Sequence, residues 1–156
     1  MSDVDALGGD ELSSDYLAFA IGGQDFATDI LRVQEIRGYE QPTALANAPE
    51  FLKGVINLRG TMVPIVDLRI WFKVAAVEYS ATTVVMILNL GDRVIGAVVD
   101  EVSDVLSINP RVIQPPPKFS ANVNTAHIIG MAEHAEKIIT LVDVRKLLAS
   151  DELGIF

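Results

Sequence analysis

The sequence predicts an all-β protein made of two small packed barrels with two short helices. Half of its 156 residues are apolar, and Val, Ile and Leu supply far more of that than the ten aromatics. Enrichment in β-branched residues of this kind favours strands. Short apolar or alternating runs recur between Gly, Asn, Asp and Pro punctuation, the pattern of many short strands joined by tight turns. The second half of the chain also echoes the first, so each unit of the architecture occurs twice.

Taken in order, strands are expected over 16–21 and 24–28, joined at Gly22-Gly23, and over 33–37. A longer Pro-containing connection covers 38–50. Strands over 54–58 and 61–66 flank a tight turn at Arg59-Gly60, and Asp67 opens a short helix over 67–72. Pro64 inside a strand pattern marks an edge or a bulge, because proline has no N–H for the ladder. The second half supplies strands over 82–90 and 93–99 around Gly91-Asp92, then 102–108. Pro115, Pro116 and Pro117 force an extended path through the connection 109–126. Strands over 127–133 and 137–142 follow, with a solvent-facing turn at His134-Ala135-Glu136, and a short helix covers 143–149.

Shifted by 76, residues 54–72 lie over 130–148, so Ile65-Val-Asp-Leu-Arg69 meets Leu141-Val-Asp-Val-Arg145 and Gly54 meets Gly130. Shifted by 69, the opening hairpins align, Gly22 on Gly91 and Ala27 on Gly96, with Val33-Gln-Glu-Ile36 on Val102-Ser-Asp-Val105. Each half is marginal as an isolated fold. The expected organisation is therefore a disordered acidic tail over 1–15 and one domain over 16–150, divided into subdomains of about 16–80 and 81–150. Segments 33–36 and 102–105 would both reach the groove between them.

Charge and composition exclude several classes. Five carboxylates in residues 1–15 account for much of the net charge of −9 and leave −4 for the remainder. Without a basic stripe, a phosphate-backbone partner is disfavoured. The absence of cysteine removes disulfides, thiolate metal sites and thiol catalysis. The N-terminus lacks a secretion signal's layout, and the apolar runs are too short to span a bilayer. A soluble, cytoplasmic protein with no cofactor and no metal is expected.

Candidate chemistry is sparse. Asp67 and Asp143 each follow an apolar strand and precede helix formers, which suits helix caps better than an acid–base pair. His127 and His134, seven residues apart in a strand-like segment, would face opposite sides and so would not share a metal. No phosphate loop or dinucleotide fingerprint occurs, and no serine lies in a Gly-x-Ser-x-Gly setting. Arg59 on its rigid turn is either a solvated surface arginine or recognition hardware. Glu35 is either a plain outward strand residue or, sharing a face with Val33, part of an interface.

Taken together, Gly54-Val-Ile-Asn-Leu-Arg-Gly60, Pro64-Ile-Val-Asp-Leu-Arg69 and Ile30-Leu-Arg-Val-Gln-Glu-Ile36 resemble the CheW family of bacterial chemotaxis coupling proteins. Gly91-Asp-Arg-Val-Ile-Gly-Ala-Val-Val-Asp-Glu-Val102 and Leu141-Val-Asp-Val-Arg-Lys-Leu-Leu148 extend the match over about 16–148. The resemblance implies two packed SH3-like five-stranded β-barrels and no enzyme activity. It implies an adaptor between the cytoplasmic tip of methyl-accepting chemotaxis receptors and the regulatory domain of the histidine kinase CheA, which meets the membrane only through receptors. Carried over by motif, the receptor-binding groove would comprise Val33, Glu35, Ile36, Arg59 and Val105, with Glu35 and Arg59 paired. Gly54 would be a further partner-sensitive position. Trp71 and Lys73 depart from the family's usual polar residue and Gly around Phe72, so Trp71 is either packing or an extra contact. Two other readings are a coupling protein of a non-flagellar chemosensory pathway and a small-barrel protein binding single-stranded nucleic acid.

Overall fold

A computed structural model describes residues 13–74, 77–116 and 126–149. It contains ten strands: β1 (Ser14–Ile21), β2 (Gln24–Asp29), β3 (Val33–Gly38), β4 (Leu52–Leu58), β5 (Thr61–Asp67), β6 (Val84–Asn89), β7 (Val94–Val99), β8 (Glu101–Ile108), β9 (Ile128–His134) and β10 (Lys137–Val142). Two short helices, α1 (Leu68–Trp71) and α2 (Val144–Leu147), follow β5 and β10. Every strand expected from sequence is present, with ends moved by a residue or two. Of the expected tail, residues 1–12 lie outside the described residues. Ser14 and Asp15 do not belong to it: they begin β1 and pair with Ile108 and Ser107 of β8.

The strands form two five-stranded sheets, in the orders β8-β1-β2-β10-β9 and β3-β6-β7-β5-β4. This corrects the expected division near residue 80. Each half keeps its opening hairpin in one sheet and sends its next three strands to the other, so both sheets are mosaics of both halves. The duplication itself holds in register. Ile65 pairs with Gly96 where β5 runs parallel to β7, and Leu141 pairs with Ala27 where β10 runs parallel to β2. These are the residues that the 76- and 69-residue shifts equate. The sequence pattern identifies like segments, but it carries no signal for which copy of a hairpin a strand will join.

Local chemistry explains the turns and ends. Gly22 and Gly23 have φ of 59° and 80°, and Arg59 and Gly60 have 49° and 90°. Positive φ at both central residues is the two-residue hairpin turn whose twist matches the flanking strands. Asp67 caps α1 through the Arg69 amide, and Asp143 caps α2 through the amides of Arg145 and Lys146. Pro64 sits opposite Val55, just before the residues by which β5 pairs with β7. Its missing N–H therefore leaves the parallel ladder intact.

Each sheet closes on itself beside one glycine. The chain after β3 returns to bridge Thr43 to Val55 of β4, and the chain after β8 bridges Gln114 to Met131 of β9. Gly54 has φ +140°, and a Cβ there would lie 2.0 Å from the Thr43 carbonyl oxygen; at Gly130 it would lie 2.5 Å from the Ile113 side chain. Only glycine admits such close approach.

β1, β2, β5, β6, β7 and β10 bury side chains on both faces. In β1, Leu17 and Phe19 join a central cluster that includes Val66, Met86 and Leu88 of the other sheet, while Ala18 turns to a cluster within its own sheet. Leu58, Val63, Ile65 and Val98 fill the matching interior of the second sheet. Two small interiors thus flank one shared seam, the arrangement expected of paired small barrels.

Candidate functional site

Glu35 lies on β3, at one end of its sheet, and Arg59 lies at the tip of the β4–β5 hairpin, at the other. The Arg59 guanidinium donates to the Glu35 carboxylate, so the pair ties the two ends of the curved sheet together. The turn is fixed for this task, because Asn57 Oδ1 accepts from the Gly60 amide at 2.7 Å. Arg37, two residues along the same strand face, adds a second guanidinium to Glu35 at 3.4 Å. The Arg59 hydrogen bond foremost, then Arg37, holds the Glu35 carboxyl below its ordinary value of 4.5. The arginine is 65% exposed and the glutamate 27%, so the pair is displayed at the surface.

The other expected site residues divide. Val33 is half-buried and packs on the central cluster, sharing the half-buried set of β3 with Glu35 and Arg37. Ile36 belongs to the exposed set, at 44%. Val105 is 55% exposed on β8, an edge strand of the opposite sheet, paired with Leu17. The structure brings Glu35 and Arg59 into contact. It relates Val105 to β3 through the shared seam, where Val33 and Val102 both pack. Gly54 is buried and presents no surface of its own.

Two features escaped sequence reading. Arg37 was legible in principle, since residues two apart on a strand share a face. The second is a buried network around Arg69, only 2% exposed. Its guanidinium engages Asp67 through Nε at 3.0 Å and a terminal nitrogen at 2.9 Å, and also donates to Asp100 at 3.1 Å and to the Glu78 carbonyl at 2.6 Å. Tyr79 donates to Asp67 at 2.6 Å and lays its ring over the guanidinium. Burial pulls the Arg69 pKa down, but its bonds to Asp67 and Asp100 outweigh this and leave it raised. Burial first, then the bond to Asp67, pushes the Tyr79 phenol above its ordinary value. Asp100 also accepts from the Gly22 amide at 2.8 Å, so the network fastens the β1–β2 turn of one sheet to the end of β5 in the other. Asp67 is thus both the expected cap and a buried partner. In the second half Arg145 is exposed, and among the described residues no ion pair joins it to Asp143.

Trp71 is half-buried and meets Phe51 edge to face, with ring centroids 4.8 Å apart. His127 lies against Phe72, whereas His134 is exposed at the end of β9.

The chain matches a family model described as a CheW-like domain over residues 15–152. It is 46% identical over 155 residues to the chemotaxis protein CheW of Klebsiella aerogenes, covering 99% of this chain and 93% of that protein. It is 36% identical to the chemotaxis protein CheW of Rhizobium meliloti, covering 93% and 91%. Its fold is similar to the crystal structure of the scaffolding protein TtCheW from Thermoanaerobacter tengcongensis, with a TM-score of 0.77, 28% identity and 85% of each chain covered.

Proposed function

The chain belongs to the family of CheW-like domains, and on that premise we propose that it is a non-catalytic adaptor coupling transmembrane chemoreceptors to the histidine kinase CheA in chemotaxis signalling. The observation that carries this reading is the displayed Glu35–Arg59 pair. A carboxylate held ionised by two guanidiniums neither takes up nor releases a proton near neutral pH. It acts instead by charge and position, as a recognition element does.

In this reading a receptor helix lies along the seam between the sheets, with Val33, Ile36 and Val105 as apolar anchors and Glu35 and Arg59 as the polar rim. The regulatory domain of CheA binds elsewhere on the same chain. The adaptor then acts by linkage, favouring whichever receptor–kinase geometry it binds best. Among the described residues no helix is long and apolar enough to cross a membrane, which fits a protein that reaches the inner face of the membrane through its receptors.

Co-sedimentation with a receptor signalling fragment and CheA tests the reading. A ternary complex is expected with each component at about 10 μM, a concentration suited to micromolar affinities. No complex with either partner at that concentration overturns it.

A further inference from the structure

The internal repeat sets Asp104 of β8 where Glu35 stands on β3, and the backbone shares this likeness. Val33 pairs with Leu88, Glu35 with Ile87 and Ile36 with Met86, with one extra residue between the first two pairs. At the 69-residue shift Val102 pairs with Phe19 and Val105 with Leu17, again around one extra residue. Such a bulge re-aims the side chain beside it. The turn repeats as well, since Arg59 and Gly60 have φ of 49° and 90° while Ala135 and Glu136 have 53° and 67°. Each sheet therefore holds a carboxylate on a bulged strand at one end and a like turn at the other.

What differs is the cation. Arg59 becomes Ala135 and Arg37 becomes Leu106, so apolar side chains replace both guanidiniums that engage Glu35. Asp104 is exposed, and among the described residues no ion pair reaches it. An outward apolar residue follows each carboxylate, Ile36 at 44% exposure and Val105 at 55%. Between β8 and β9 opens a cleft of ≈ 300 Å³, with Ile108, Val112 and Ala132 beside Glu133 in its lining. None of the described residues that line it is a lysine or an arginine. An apolar surface whose carboxylates lack a compensating cation is complementary to an apolar partner segment that carries positive charge.

We propose, on the receptor reading given above, that Asp104 is a second polar contact of the receptor helix and takes a cationic side chain from it, an arginine by the precedent of Glu35. The first half completes its ion pair within the chain, and the second half leaves its own for the partner to complete. This asymmetry fixes the direction of the helix along the seam, because a reversed helix would bring its cation towards Arg59.

Titration calorimetry with a receptor signalling fragment tests the contact. Asp104→Asn is expected to weaken binding about tenfold with an unchanged thermal midpoint, as for an interface charge whose partner is lost. Ala135→Arg puts a guanidinium on the turn that positions Arg59 in the first half. It is expected to weaken binding similarly, by engaging Asp104 from within the chain, and to add no further loss to Asp104→Asn. Replacing each arginine and lysine of the fragment by glutamine in turn is expected to find one whose effect vanishes in the Asp104→Asn background, the mark of a direct pair. Undiminished affinity in Asp104→Asn, or no coupled cation, overturns the proposal while the receptor reading stands. No binding by the unaltered protein overturns both. A loss of self-association with fragment binding unchanged assigns Asp104 to a contact between copies and likewise overturns the proposal.

Discussion

Glu35 and Arg59 owe their contact to backbone features far apart in the chain: the face of β3 that Glu35 shares with Val33 and Arg37, and a turn that sets Arg59 at φ 49°. Because the pair is exposed, Arg59→Ala is expected to leave the thermal midpoint nearly unchanged. Receptor or kinase binding is expected to weaken by about tenfold or more, as for an interface arginine. Titration calorimetry beside a melting curve checks both, and unaltered affinity for both partners refutes the role. The depressed Glu35 value adds a pH signature. Any stabilisation from its arginines is complete above 4.5 and fades as pH falls through the lower folded value. A carbon-13 titration should therefore show Glu35 protonating below its ordinary range, and closer to it in Arg59→Ala. Arg69 presents the opposite case. Replacing it by Met removes the charge that compensates buried Asp67, with a cost of about 3 kcal/mol, the low end for a broken buried pair because Asp100 is partly exposed. That corresponds to a fall in midpoint of roughly 6–12 °C in a calorimetric scan.

At the scale of elements, the hairpins and caps follow from local residues, whereas the closing bridges depend on an absent side chain. Gly54→Ala places a Cβ 2.0 Å from the Thr43 carbonyl oxygen at φ +140°. The Thr43–Val55 bridge must then open, at a cost of about 2–3 kcal/mol. Urea unfolding measures this. Gly54→Ala is expected to lose stability along with any loss of partner affinity, whereas Arg59→Ala loses affinity alone. That contrast separates a position felt through the fold from one felt at the surface. Gly130→Ala is expected to behave in the same way, because its Cβ would meet Ile113 and Gln114.

The whole molecule is held by exchange between its halves. Cutting the chain near residue 76 severs no strand, yet each fragment retains only part of either sheet. Fragments 1–76 and 77–156 are each expected to be unfolded alone by circular dichroism and to regain a β-sheet spectrum when mixed. Independent folding of either fragment contradicts the exchange. The central cluster is the driving force, since it draws Leu17 and Phe19 from one sheet and Val66, Met86 and Leu88 from the other. An isolated fragment leaves that apolar surface in water.

Sequence alone determined the strands, the tight turns, the two capping aspartates and the internal repeat. All of these follow from period-two burial, turn residues and local hydrogen bonds, which act over a few neighbouring residues. The family motifs also placed Glu35 and Arg59 together. Tertiary structure alone decided that β3 crosses to β6 while β8 returns to β1, because two like hairpins offer like edges and nothing local distinguishes them. It also decided that Arg69 is buried while Arg145 is exposed, although both follow a capping aspartate at the same spacing. Their difference arises from Tyr79 and from Asp100, which follows β7 and reaches Arg69 where β7 of the second half pairs with β5 of the first.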